Sequence, residues 1–254
     1  MKLLKAMAIA FSIYSKIPVP QFEWKEEDME YMMCFFPWIG GVIGLFFFEW
    51  AVLCEKFAVG NVCYALIGAA IPLMISGGFH VDGYMDTMDA FHSYQSREKK
   101  LEILKDSHIG AFAAIMLALY YMIDIAAISE IHTQKAVSAL AAVFFLARCF
   151  SGIAVMTLQP AKKEGLLYTF ASSAQKVMVK AALYFQTVLC VVLMLLVSGW
   201  YGAAAIGAVL LSFFYFKKKS YKELGGITGD TAGFFVTVCE AAAAAAVAVA
   251  GYFL

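Results

Sequence analysis

Charged side chains are scarce in this sequence. Asp, Glu, Lys and Arg make up 15% of its 254 residues, whereas hydrophobic residues make up 63%; ordinary soluble domains have about 25% and about 45–50%, respectively. Several apolar runs reach about 20 residues, the length that crosses a bilayer, and a soluble domain of this size could not bury them all. The composition therefore excludes a soluble globular protein and predicts an all-α, polytopic membrane helical bundle.

The sequence also lacks the patterns of cysteine metal sites, of additional domains and of nucleic-acid binding. Its six cysteines form no CxxC pair and have no histidine at zinc-site spacing, so we expect small buried hydrophobic residues. No internal repeat or polar linker divides the chain, which indicates one integral-membrane domain over residues 1–254. A formal net charge of zero gives no reason to expect a nucleic-acid partner.

The apolar runs predict about seven transmembrane helices. The N-terminal segment "MKLLKAMAIAFSIYSKIPVP" begins like a signal peptide but has no small-x-small cleavage site, so we predict a retained helix that lies at the membrane interface. The seven predicted spans cover 31–53, 58–79, 109–129, 136–158, 177–198, 200–216 and 231–254.

Lysine and arginine placement predicts the orientation of these spans. Most of the 19 basic residues lie before the first span or in the loops between spans two and three, four and five, and six and seven. Basic loops stay in the cytoplasm. We therefore expect the N-terminus inside, the C-terminus outside, and a protein of the cytoplasmic (inner) membrane whose site faces the cytoplasm.

The most polar stretch, "SGGFHVDGYMDTMDAFHS" at 76–93, carries three aspartates on one predicted helix face. Asp82, Asp86 and Asp89 are spaced i, i+4 and i+7, so their carboxylates repel one another unless a cation lies between them. Mg²⁺ is favoured because it binds one or two carboxylates together with waters and substrate phosphates. The alternative is a solvated acidic helix start, which the helix dipole stabilises. Glycines 77 and 78 are expected to break the preceding helix, and His80 either donates to a phosphate or orients a carboxylate.

Two further polar clusters are predicted on the same side of the membrane. Lys105, Asp106 and Ser107 place a cation, a carboxylate and a hydroxyl where the third span begins, which suits a phosphate. The glycine-rich segment "GGITGDT" runs into the last span; backbone N–H groups around Gly229 could bind an anion, and Asp230 is its strong metal ligand. These clusters and the aspartate stretch could form one site.

Four ionisable residues lie inside predicted spans, where charge is costly and usually paired or functional. Arg148 must pair with a carboxylate or a substrate phosphate, and Glu240 is the best protein partner that the sequence offers. Glu49 and Asp124 are assigned structural or snorkelling roles.

These motifs, taken together, resemble the cobalamin synthase family, the adenosylcobinamide-GDP ribazoletransferases. The resemblance rests on "GGFHVDGYMDTMDAF", "KDSHIGAFA" and "LGGITGDTAG", with Arg148 and Glu240. It extends to "FSIYSKIPVP", "FFPWIGGVIG" and "AKKEGL", and so runs through nearly the whole chain. After Asp89 the sequence continues "AFHSYQ" where many relatives have glycines.

The resemblance implies an Mg²⁺-dependent enzyme that joins α-ribazole, or its 5′-phosphate, to adenosylcobinamide-GDP and releases GMP. Such a reaction needs charge neutralisation on two phosphates. The expected metal ligands are Asp82, Asp86, Asp89 and Asp230. The expected substrate-binding residues are Lys105, Ser107, Arg148, Gly229 and Glu240. The catalytic candidates are Asp82, Asp86, His80 and Asp106, of which Asp106 is expected to accept the hydroxyl proton.

Two alternative functions share some of these features. A CDP-alcohol phosphotransferase also begins an aspartate array with Asp-Gly, but this chain lacks the arginine of that pattern. A divalent-cation transporter would need acidic groups near the membrane centre and paired broken helices, whereas here the acidic residues collect at one end of the spans. The sequence leaves open whether the chain forms a homo-oligomer.

Overall fold

The computed structural model describes residues 2–20, 23, 25–162 and 166–253, and these residues form a bundle of α-helices. Two 3-10 turns, Glu26–Met29 and Met32–Cys34, follow the first helix. The helices are α1 Lys2–Tyr14, α2 Phe36–Lys56, α3 Asn61–Ser76, α4 Phe79–His92, α5 Arg97–Ile103, α6 Ala111–Ile128, α7 Gln134–Thr157, α8 Leu166–Ser173, α9 Lys176–Ser198, α10 Trp200–Leu224 and α11 Gly229–Gly251. Residues 163–165 of the segment "AKKEGL" lie outside the described part of the chain.

The predicted membrane bundle is confirmed. Among the described residues, six helices are long and apolar enough to cross a bilayer, namely α2, α6, α7, α9, α10 and α11. Helices α3 and α4 pass the same test together, although they meet at an angle of 96°. Counting that pair as one span gives the predicted seven. The orientation of the N-terminus stays a prediction from lysine placement.

The second predicted span breaks at its glycines, as expected. Gly77 and Gly78 have φ values of +65° and +85°, in the left-handed region that glycine adopts without steric cost. Two such residues in succession end α3 and turn the chain into α4 without a loop. Hydropathy predicted one span of 58–79 because it measures apolar character and carries no information about the direction of the helix axis.

Helix α10 is longer than its predicted span of 200–216. It continues through a lysine-rich turn to Leu224, since lysine is a good helix former and only the apolar part of a helix marks a span. Lys219 Nζ lies 3.1 Å from a Glu223 oxygen, and Lys100 of α5 pairs with the same carboxylate. The polar end of α10 is thereby joined to α5.

Helices α7 and α11 form the centre of the bundle, with most of their residues buried. Helix α2 packs closely on α7 at Gly40 and Gly44, where a Cβ atom would overlap the carbonyl oxygens of Phe144 and Ala141. Small residues permit this approach of helix backbones in membranes. Large apolar side chains on α6 and α9 remain exposed on the outside of the bundle, as expected of surfaces that face lipid.

The prediction of buried cysteines is correct for Cys54, Cys149, Cys190 and Cys239, which are buried and free. Cys34 is half-buried. For Cys63 the prediction is wrong: it is exposed, on the outer face of α3 beside Val62. An apolar residue in a membrane helix need not face the protein core, because lipid also accommodates it.

Candidate active site

A cavity of about 540 Å³ opens between α1, α2, α4, α7, α8 and α11. Polar side chains from several separate parts of the sequence line it, and aromatic and aliphatic side chains line the remainder. The polar lining residues are His80, Asp82, Lys105, Ser151, Lys162, Thr228 and Asp230, with the Tyr14 hydroxyl-bearing ring and the backbone of Gly83 and Gly229. Of the residues that the sequence predicted for the site, His80, Asp82, Lys105, Gly229 and Asp230 line this cavity.

A close crossing of α4 and α11 brings the two acidic motifs together. A Cβ atom at Gly83 would lie 2.8 Å from the Asp230 carbonyl oxygen and 2.9 Å from its Cα, and a Cβ at Gly233 would lie 3.0 Å from the His80 carbonyl oxygen. These three distances are shorter than ordinary contacts of a Cβ atom, so the crossing depends on glycine in each helix. It places Asp82 and Asp230 at the same cavity.

The start of α11 is fixed by a reciprocal cap. The Thr228 Oγ1 accepts a hydrogen bond from the Thr231 N–H at 3.1 Å, and the Thr228 N–H donates to the Thr231 Oγ1 at 2.8 Å. The Thr228 hydroxyl also donates to an Asp230 carboxylate oxygen at 3.3 Å. This capping box satisfies backbone donors and orients the Asp230 carboxylate.

Lys162 reaches the cavity because the chain before it pairs with the loop before α11. The Ala161 N–H donates to the Ile227 carbonyl at 2.8 Å, and the Ile227 N–H donates to the Gln159 carbonyl at 3.0 Å. The Lys162 Nζ donates to the Leu101 carbonyl at 2.7 Å and lies near enough to Asp230 to act on its charge. No sequence pattern predicted Lys162 for the site, although it lies in "AKKEGL", one of the segments that resemble the family.

The predicted aspartate helix is confirmed as α4, but its three carboxylates have different surroundings. Asp82 is exposed in the cavity, and Asp86 is half-buried within electrostatic reach of Asp82, Asp89 and Asp230. The two Asp89 oxygens accept hydrogen bonds from the backbone N–H groups of Gly110 at 2.7 Å and Ala113 at 2.8 Å. Asp89 therefore caps α6, and its role as a metal ligand stays a prediction.

The donor set at the cavity suits Mg²⁺. In the described ranges no three His, Cys, Asp or Glu side chains converge as a metal-binding group. Asp82 and Asp230 supply carboxylate oxygens from facing helices, with Asp86 behind them. Mg²⁺ characteristically binds one or two carboxylates and takes its other ligands from water and substrate phosphates.

The cluster at 105–107 is only partly directed at the cavity. Lys105 lines it, whereas Asp106 and Ser107 are exposed outside its lining. The Asp106 Oδ1 accepts hydrogen bonds from His108 Nδ1 at 2.6 Å and from the His108 backbone N–H at 3.0 Å. These bonds from His108 lower the pKa of Asp106, since they stabilise the ionised carboxylate.

Arg148 and Glu240 form a buried ion pair, as predicted. The Arg148 Nη1 donates to Glu240 Oε1 at 2.7 Å and to the Phe144 carbonyl at 2.8 Å, and only 1% of Arg148 is exposed. Neither side chain lines the cavity, so their predicted contact with substrate stays a prediction. Asp124 is buried near Glu240, which excludes a snorkelling role for it, and Glu49 is exposed.

Comparison with known proteins agrees with this geometry. A family model described as cobalamin-5-phosphate synthase matches residues 6–248, a range that includes every residue lining the cavity. The chain belongs to the cobalamin-5-phosphate synthase family. The resemblance stated from the sequence motifs is thereby confirmed.

Similar members of this family carry one name. A protein of Lachnoclostridium phytofermentans named adenosylcobinamide-GDP ribazoletransferase is 44% identical over 98% of this chain and 95% of its own length. Proteins of the same name from Clostridium botulinum and Treponema denticola are 31% and 30% identical, each over 94% of this chain and 94% and 95% of their own lengths. No solved structure matches the chain.

Proposed function

We propose that this cobalamin-5-phosphate synthase family member is an adenosylcobinamide-GDP ribazoletransferase of the cytoplasmic membrane. The observation that carries the proposal is the match to a protein of that name at 44% identity over 98% of the chain. The cavity supports it, because paired carboxylates beside two lysines, Lys105 and Lys162, form a site suited to a diphosphate.

The proposed reaction breaks the phosphoanhydride linkage of a diphosphate and forms a phosphate ester in its place. A ribose hydroxyl oxygen of α-ribazole, or of its 5′-phosphate, forms a bond to the phosphorus attached to cobinamide. The bond from that phosphorus to the oxygen of GMP breaks, and GMP leaves with the electron pair. The hydroxyl proton passes to a base. Both phosphates carry negative charge throughout, so the site must neutralise it.

Two kinds of group in the cavity provide that neutralisation. Asp82 and Asp230, with Asp86 beside them, would hold Mg²⁺, which supplies Lewis-acid charge neutralisation at the diphosphate when bound. Lys105 and Lys162 bind phosphate oxygens from the cavity wall. Arg148 is held by Glu240 away from this wall, so we assign the phosphate contacts to the lysines first.

The acceptor of the hydroxyl proton is proposed from the sequence as Asp106. Its neighbour Lys105 lines the cavity, whereas its own carboxylate is bonded to His108. Asp106 would have to leave His108 before it could accept a proton from the ribose. The hydrogen bonds that lower its pKa also make it a weaker base, so Asp106 can accept the ribose proton only after it leaves His108.

The reaction is tested with purified protein in lipid nanodiscs, adenosylcobinamide-GDP, α-ribazole and Mg²⁺. We expect release of GMP in equal amount to the cobamide formed. The matched control is Glu98→Gln, which removes an exposed carboxylate of α5 outside the cavity and should release GMP at the wild-type rate. Release of CMP from CDP-diacylglycerol, or uptake of Mg²⁺ into proteoliposomes, without any GMP release would replace the proposal with one of its two alternatives.

A further inference from the structure

One end of the cavity is built from aromatic rings grouped around Tyr14 of α1. The Tyr14 ring centroid lies 4.5 Å from Phe36 of α2, 5.0 Å from Phe79 of α4 and 6.2 Å from Phe170 of α8. All four rings line the cavity, together with the aliphatic Met33, Val155 and Leu167. Four rings from separate helices at one cavity wall provide surfaces on which a flat aromatic ligand can stack.

His80 is a polar group at this aromatic end, beside the hydroxyl of Tyr14. Its ring centroid lies 6.0 Å from Tyr14, 5.7 Å from Phe36 and 5.5 Å from Phe79. Only 5% of the residue is exposed, it lines the cavity, and its Nε2 atom has no hydrogen-bond partner among the described residues. Buried polar atoms in native proteins are almost always paired, and an unpaired one costs free energy.

We infer that this end of the cavity binds the planar base of the ribazole, and that the His80 Nε2–H donates a hydrogen bond to the free ring nitrogen of that base. The inference rests on the proposed function and adds to it a base-binding subsite and a specificity-determining residue. It also accounts for the unpaired Nε2 atom, which would receive its partner from the substrate once the imidazole turns toward the cavity that His80 lines.

The chemistry of the pocket favours the ribazole base over the guanine of adenosylcobinamide-GDP. A benzimidazole presents two apolar faces, an apolar six-membered ring and a single ring nitrogen with a free lone pair. Guanine carries several donors and acceptors on its edge, more than the Tyr14 hydroxyl and the His80 ring can pair, and the phenylalanine rings beside them offer no partner. The apolar walls match the faces of the first base, and the His80 ring matches its single free ring nitrogen.

The position of His80 relative to Asp82 is consistent with this assignment. Both residues lie near the start of α4 and line the same cavity, so its aromatic and acidic parts are adjacent. A base stacked beside His80 extends its ribose towards the carboxylates. The ribose hydroxyl then lies next to the diphosphate that Lys105 and Lys162 would bind.

The test compares two ribosides that differ by one atom. α-Ribazole has a free ring nitrogen, and the α-riboside of 5,6-dimethylindole has C–H in its place with nearly the same shape. We expect wild-type protein to prefer α-ribazole by about tenfold in kcat/KM, since one buried hydrogen bond and its unpaired donor differ between the two. Equal kcat/KM values for the two ribosides would overturn the inference.

Variants at His80 identify the donor. His80→Phe should reduce the preference to about onefold, and the loss should arise from a higher KM for α-ribazole. His80→Gln keeps an N–H donor and should retain part of the preference. The control is His92→Phe, also on α4, whose Nδ1 donates to the Met88 carbonyl and which does not line the cavity; it should leave the preference unchanged.

The alternatives give different results. If His80→Phe keeps the wild-type preference, a buried water satisfies Nε2 and the inference fails. If His80→Phe instead raises the KM of adenosylcobinamide-GDP alone, the rings hold guanine and the inference fails. Should His80→Phe not fold, the wild-type preference and its partial retention in His80→Gln decide the question. Absence of GMP release with both ribosides in wild-type protein would contradict the proposed function itself.

Discussion

Gly83→Ala tests whether the crossing of α4 and α11 sets the geometry of the active site. The added Cβ would lie 2.8 Å from the Asp230 carbonyl oxygen and 2.9 Å from its Cα, and both are backbone atoms that no rotamer change can move. Ordinary contacts begin at 3.4 Å, so the two helices must separate by about 0.6 Å. Overpacking of this kind costs about 1–3 kcal/mol of stability.

The same displacement moves Asp82 relative to Asp230. Misplacement of reacting groups by about 1 Å can lower a rate by about 100-fold, so we expect Gly83→Ala to reduce single-turnover GMP release by at least about tenfold. Rapid-quench measurement at saturating substrates isolates the chemical step from binding. Folding is followed in parallel by thermal denaturation in detergent.

The matched control is Gly207→Ala on α10, where a Cβ would meet nothing within 4 Å. Alanine is favoured over glycine inside a helix by up to about 1 kcal/mol, so this variant should be as stable as wild type or more stable, with an unchanged rate. If Gly83→Ala turned over at the rate of Gly207→Ala, the close crossing would not control the site, and the argument from backbone contact would be refuted.

Four further predictions follow from the structure. Excess EDTA should abolish GMP release and added Mg²⁺ should restore it; full turnover in EDTA would exclude a divalent ion. Asp82→Asn and Asp230→Asn should each strongly reduce the single-turnover rate, and the double variant should lose far less than the product of the two losses, because groups that act as a unit are non-additive; a near-normal rate for Asp230→Asn would remove it from the site. Arg148→Met should destabilise the protein by about 3–5 kcal/mol by leaving Glu240 buried and unpaired, and adding Glu240→Leu should recover most of the lost melting temperature; an unchanged melting temperature in Arg148→Met would show that the pair is unimportant. A cysteine at Ser93, in an otherwise cysteine-free protein, should react with an impermeant maleimide only from the cytoplasmic side; labelling only from outside would reverse the topology.

The helices of this protein were predictable from sequence because lipid imposes a simple rule. A run of about 20 apolar residues can satisfy its backbone in a bilayer only as a helix, and α2, α6, α7, α9 and α11 lie within a few residues of their predicted spans. The break at Gly77 was predictable for a local reason, the left-handed tendency of two successive glycines. Neither rule predicts which faces of the helices pack against each other.

Sequence motifs predicted the site residues whose chemistry is evident from their type and spacing. They did not predict contacts that depend on how the helices pack. Asp82 and Asp230 were expected together because charge placement predicted both motifs on one side of the membrane. Asp89 resembled its neighbours in sequence, yet its oxygens are engaged by Gly110 and Ala113 of another helix. The aromatic wall was not predicted, since the motifs that contain Tyr14, Phe36 and Phe79 indicate the family and not that their rings meet, and Phe170 lies in no such motif.

The lipid-facing surface and the cavity are built from different helices. Large apolar side chains of α6 and α9 are exposed on the outside of the bundle, and among the described residues neither helix contributes to the lining of the cavity. Changes in these outer side chains, such as those that adapt a protein to a bilayer of different thickness, therefore leave the lining of the cavity unchanged.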